Sequence, residues 1–96
     1  MTDEDITSLI VHVHGFVQGV GFRDFMVMAA EHHKLDGWVR NRADGSVEAL
    51  VSGPTSKVEA FVGHATKGPP GARVSHMDLH NSQPPPEKGF KRQSSL

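Results

Sequence analysis

The 96-residue chain has no cysteine, no tyrosine, a single tryptophan and a formal net charge of only −1. Each scarcity removes a class of function. Without cysteine there is no disulfide framework, no thiolate nucleophile and no cysteine zinc site, and a reducing compartment is the simpler expectation. A near-neutral charge denies the chain the strongly basic face that duplex nucleic acid or an anionic membrane requires. No apolar run approaches membrane-spanning length, and the N-terminal Met1-Thr2-Asp3-Glu4-Asp5 is acidic, so a soluble, cytoplasmic protein without a membrane or nucleic-acid partner is expected. With hydrophobic residues at 36% and only five phenylalanines, one small core can form and any site must lie near the surface.

What the chain does carry is a glycine-rich turn, Gly15-Phe16-Val17-Gln18-Gly19-Val20-Gly21-Phe22-Arg23. Glycines let successive backbone N–H groups of Val17, Gln18, Gly19, Val20, Gly21 and Phe22 face one point, and a helix opening near Phe22 aims its positive dipole end there. Arg23 adds a planar fork of donors suited to phosphate or carboxylate. The stretch reads as an anion cradle, against the plainer reading of a strand-to-helix turn with a surface arginine.

Periodicity organises the rest. Residues 1–7 read as a loose polar lead-in, 8–93 as one domain and 94–96 as a frayed end. Leu9, Val11 and Val13 alternate with Ile10, His12 and His14 as a strand, and a helix is predicted from Phe22 to about Lys34, stopped by Leu35-Asp36-Gly37. Trp38–Asn41 and Ser46–Ser52 flank Asp44-Gly45, a hairpin signal, and Gly53-Pro54 breaks the second strand. Ser56 and Glu59 predict a capping box for a helix with Val58, Phe61, Val62 and Ala65 on one stripe. Arg73–His80 forms a further strand with an irregularity near Ser75, Pro84-Pro85-Pro86 marks a connection, and Phe90 anchors a possible short last strand. This order predicts an α+β, ferredoxin-like βαββαβ sandwich, an antiparallel sheet with both helices on one face and the first and third strands central. Arg23 and Asn41 then converge at one end of the sheet.

Asn41 is either a turn residue or an amide that donates to a phosphoryl oxygen while accepting from a water. Metal binding is not expected. His12 and His14 share a strand face, but neither a cysteine nor a carboxylate pattern accompanies them, and His32 and His33 point apart on a helix. No Gly-x-Ser-x-Gly elbow, dinucleotide fingerprint or nucleotide loop is present. Lys88-Gly89-Phe90 is similar to the start of an RNA-recognition motif, but the stretch continues Lys91-Arg92-Gln93 and the inner strands lack stacking aromatics.

Taken together, Gly15–Arg23, the pair Gly37-Trp38-Val39-Arg40-Asn41 and Asp44-Gly45-Ser46-Val47-Glu48, and Gly68-Pro69-Pro70-Gly71-Ala72-Arg73-Val74 resemble the three common segments of the acylphosphatase family, from about Leu9 to Phe90. The resemblance implies hydrolysis of acyl phosphates to carboxylate and inorganic phosphate, with no metal, no cofactor and no phosphoryl-enzyme intermediate; with no large apolar stripe left over after the core is assigned, a monomer is expected. It implies that Arg23 and the loop amides hold the phosphoryl group, that Asn41 positions the attacking water, and that the substrate's own phosphate accepts the proton. Trp38 is then structural support. Two positions depart from the pattern: Asp36 stands where a small or hydroxyl residue is common, and the tail after Phe90 is unusually polar, which leaves the edge strand open. Alternatives are a carbamoyl-phosphate-handling domain like that heading hydrogenase-maturation carbamoyltransferases, or a non-catalytic anion-binding module.

Overall fold

A computed structural model describes residues 5–95. Its elements are β1 (Ile6–Phe16), α1 (Phe22–His32), β2 (Asp36–Asn41), β3 (Val47–Pro54), α2 (Thr55–Lys67), β4 (Arg73–Asn81) and β5 (Phe90–Arg92). The alternation expected for the first strand turns Val11 and Val13 fully inward, into one core with Val39 of β2 and Val47, Ala49 and Val51 of β3. Phe22, Met26 and Ala30 of α1 and Val58, Phe61 and Ala65 of α2 close this core from one side, each set at helical spacing.

The sheet order is β4-β1-β3-β2-β5, with β1 and β3 central and antiparallel as the split βαβ pattern predicts. The expectation of a wholly antiparallel sheet fails at one edge: β5 lies parallel to β2, so the sheet is mixed. The reason is connectivity. The chain leaves β4 at one end of the sheet, passes through the proline segment along that end and re-enters at the far edge, so β5 must run with β2. Consequently β1, β2 and β5 all finish at the same end of the sheet, where α1 begins.

Several boundaries also move. The loose lead-in expected up to residue 7 does not include Ile6 and Thr7, which pair with Pro54 and Gly53; residues 1–4, and Leu96 of the expected frayed end, lie outside the described residues. Gly53-Pro54 therefore does not break β3, because β1 continues opposite it. The Ser56–Glu59 capping box is not the start of α2. The helix opens one residue earlier, at Thr55, after Pro54, with no side-chain cap, because Thr55 is fastened to β1: its N–H donates to the Asp5 carbonyl at 3.0 Å, and its hydroxyl lies 2.6 Å from that of Thr7. Helix α1 ends at His32 rather than near Lys34. Lys34 takes a left-handed conformation (φ 57°), which turns Leu35 into the core and starts β2 at Asp36, two residues before Trp38. The irregularity expected near Ser75 is present as a register shift: His14 pairs with His76 and Gly15 with Val74, leaving Ser75 unmatched.

Candidate active site

Where β1, β2 and β5 end, a cavity of about 200 Å³ opens. Val17, Gly19, Gly21 and Phe22 of the glycine loop form one wall, Arg23 and Asp24 of the first turn of α1 a second, and Asn41 and Arg92, from the ends of β2 and β5, the remainder. Gly19 and Gly21 have φ of 76° and 78°, values that a residue with a Cβ adopts only at a cost. Gly21 is the N-cap of α1 and offers no capping side chain, so the first-turn N–H groups face the cavity without an oxygen of their own N-cap in the way.

The expected cradle is thus assembled in part. Val17, Gly19, Gly21, Phe22, Arg23 and Asn41 come together, whereas Gln18 and Val20 do not line the cavity. The Gln18 side chain serves another segment. Its carboxamide donates to the carbonyls of Arg42 at 2.8 Å and Ser46 at 2.9 Å, clasping the glycine loop to the β2–β3 turn that carries Asn41. That turn is itself closed by Asp44, which accepts from the Ser46 hydroxyl and from its N–H at 2.9 Å; these bonds hold the Asp44 carboxyl below the usual range. Among the described residues, no side-chain hydrogen bond engages the Asn41 carboxamide.

Arg23 is half-buried and is steadied from the residue after β5, donating to the Gln93 carbonyl at 3.2 Å. Arg92 meets Asp24 at 3.0 Å. Neither Asp24 nor Arg92 was singled out by motif. A period-2 argument could have found Arg92, since it falls on the same face of its strand as the core residue Phe90, but only if β5 were already known to lie against α1. The doubtful edge strand is real, and the two departures noted in the sequence belong together. Asp36 accepts from the Gly89 N–H at 2.7 Å, while the Gly37 N–H donates to Gly89 and the Gln93 N–H to Val39, so Asp36 helps pin the polar tail in place.

Behind Asn41, the preceding residue on the sheet's open face is Arg40, whose Nε donates to Glu48 at 2.7 Å. His12 meets the other oxygen of Glu48 at 2.7 Å. The Arg40 guanidinium also lies 4.7 Å from the Trp38 ring centre, consistent with Trp38 as support. Burial pushes the Glu48 carboxyl up, but hydrogen bonds from His12 and Arg40 and the charge of Arg40 outweigh it and leave the group below its ordinary value. This bridge ties β1, β3 and β2 together one residue before Asn41.

The acylphosphatase family model matches residues 9–92. An acylphosphatase of Rhizorhabdus wittichii is 43% identical over 86 residues, which cover 90% of this chain and 87% of that one. The crystal structure of acylphosphatase from Bacillus subtilis superposes with a TM-score of 0.86 at 37% identity, covering 93% of this chain and 99% of that one. The crystal structure of HypF from T. kodakarensis gives a TM-score of 0.81 at 34% identity, but the match, which takes in 94% of this chain, spans 12% of that much longer one.

Proposed function

We propose that this chain, which belongs to the acylphosphatase family and is therefore a hydrolase of acyl phosphates, divides that hydrolysis between Arg23, which clamps the phosphoryl group, and Asn41, which holds the attacking water. The observation that carries this division is that Arg23, Asn41 and the opening of α1 border one cavity. Phosphoryl transfer asks a protein mainly for positioning and charge neutralisation. The guanidinium and the backbone N–H groups from Val17 to Phe22 supply the charge and the donors. The Asn41 amide donates to a phosphoryl oxygen and accepts from the water, whose oxygen then attacks phosphorus. The phosphorus–oxygen bond to the acyl group breaks, the carboxylate leaves, and a water proton passes to a phosphoryl oxygen.

No metal takes part in this scheme, in which Arg23 and the loop N–H groups supply the positive charge and donors for the phosphoryl oxygens. At about 200 Å³ the cavity is smaller than the usual site for a drug-sized ligand; it takes the phosphoryl half and leaves the acyl half in solvent. The reading is of a monomeric enzyme that, with no disulfide to form, suits a reducing cytoplasm. Benzoyl phosphate turnover measured with EDTA present is the test. Turnover should persist with EDTA and fall by at least about a hundredfold in Arg23→Ala and Asn41→Ala, the scale on which a donor to developing charge acts. Full activity in either folded variant, or a requirement for metal, would refute the scheme. Phosphate affinity without turnover in the wild-type chain would leave an anion-binding module instead.

A further inference from the structure

The open face of the sheet gathers side chains that the hydrolysis does not use. Strand β1 turns His12 and His14 to this face, and β4, the adjacent edge strand, turns His76, Asp78 and His80 to it. The antiparallel register sets His14 opposite His76 and His12 opposite Asp78. The carboxylate missing from the sequence around His12 and His14 is therefore delivered by a strand more than sixty residues away. Solvent-facing positions on an edge strand make no demand for histidine, since any residue suited to a pleated surface would serve.

We infer that His14, His76 and Asp78 form a site for a divalent cation of the zinc class, separate from the phosphoryl cavity. One ligand atom can be taken from each residue such that all lie within 4.8 Å of one another. His14 Nε2 and Asp78 Oδ2 are 3.1 Å apart, close to the edge of about 3.3 Å that bonds of about 2.0–2.1 Å give in a tetrahedral zinc site. The His14 and His76 rings are stacked, with centres 4.3 Å apart and planes 7° from parallel. A cation shared by two imidazoles lies in the plane of each, so binding turns the exposed His76 ring out of the stack while half-buried His14 stays anchored. Ser75 Oγ lies 3.3 Å from His76 Nδ1. With Nδ1–H donating to that oxygen, Nε2 keeps its lone pair for the metal, the arrangement in which an outer partner fixes a ligand's tautomer. Two imidazoles and one carboxylate suit zinc, cobalt, nickel or copper better than magnesium or calcium, and water fills the remaining positions. The site shares no residue with the phosphoryl cavity.

Calorimetric titration of the tag-free full chain with Zn2+ tests the site, with Co2+ absorption as a second readout. One-to-one binding is expected, together with visible cobalt bands that excess Zn2+ abolishes. His76→Ala and Asp78→Asn lie at exposed positions, so circular dichroism should match the parent, and each should weaken zinc by at least about tenfold, the lower end of what even an outer-partner change costs. His64→Ala, on α2, should bind as the parent does. No binding to the parent chain, unchanged affinity in both ligand variants, or an equal loss in His64→Ala would overturn the assignment.

Discussion

Among the described residues, Asp24 is the one carboxylate that borders the cavity, and it is the natural rival to the substrate as acceptor of the water's proton. Its carboxylate already meets Arg92 at 3.0 Å in an exposed pair. If Asp24 is only a partner for Arg92 and a favourable charge in the first helical turn, Asp24→Asn should keep benzoyl phosphate turnover within about tenfold, whereas loss of a general base costs about a hundredfold or more. Glu48 poses a stability question at the same scale. Its folded value lies below the ordinary one, so the stabilisation it brings is present above the usual glutamate range and is lost as pH falls through the folded value. Glu48→Gln should cost about 1–3 kcal/mol at pH 7, as hydrogen bonds to a charged group do. Urea midpoints of the two proteins should converge as the pH drops below about 4.3; a gap that stays constant down to pH 3 would mean that packing, not charge, holds this bridge.

At the scale of elements, the site depends on ties between segments that touch no substrate. Gln18 fastens the glycine loop to the turn after β2, and removing its carboxamide leaves the Arg42 and Ser46 carbonyls with one donor fewer each. Gln18→Ala should lose about 1–3 kcal/mol of stability and should lower kcat more than it raises KM for benzoyl phosphate, because the phosphate cradle survives while the water held by Asn41 drifts relative to it. Equal activity of the variant and the parent would reduce the clasp to a structural convenience. The end of β5 acts similarly on Arg23 through the carbonyl of Gln93, the next residue, and the strand is anchored by Phe90, which is buried against Phe61 with ring centres 5.8 Å apart. The helices were legible because their apolar residues recur at helical spacing. The starts of α2 and β2 were less so, since Thr55 is chosen as the opening residue by a bond to Asp5 fifty positions away, and a local capping rule has no access to it.

On the scale of the whole molecule, a small chain places its candidate site at the rim of a single core, and the proposed scheme leaves the acyl half of the substrate in solvent. Acetyl phosphate and benzoyl phosphate should therefore be hydrolysed with kcat/KM values within about tenfold, since an extra apolar group left in water gains little of the 25 cal/mol per Å² that burial would bring. A strong preference for either would place part of the acyl group against the protein. The sequence by itself determined most of the elements and the core, through alternation and helical spacing, because burial rewards one face; it also marked two candidate residues, Arg23 because a charged fork follows a glycine turn, and Asn41 through the family resemblance, since an amide before an Asp-Gly turn reads equally as a turn residue. Tertiary structure alone decided that the Gln18 side chain is a clasp, that Arg92 and Asp24 join the rim, and that β4 brings His76 and Asp78 to His14. Each of these depends on which strands become neighbours and in which direction they run. That is settled by the connections and the shared core, where residues far apart in sequence are brought together, and no local pattern records it.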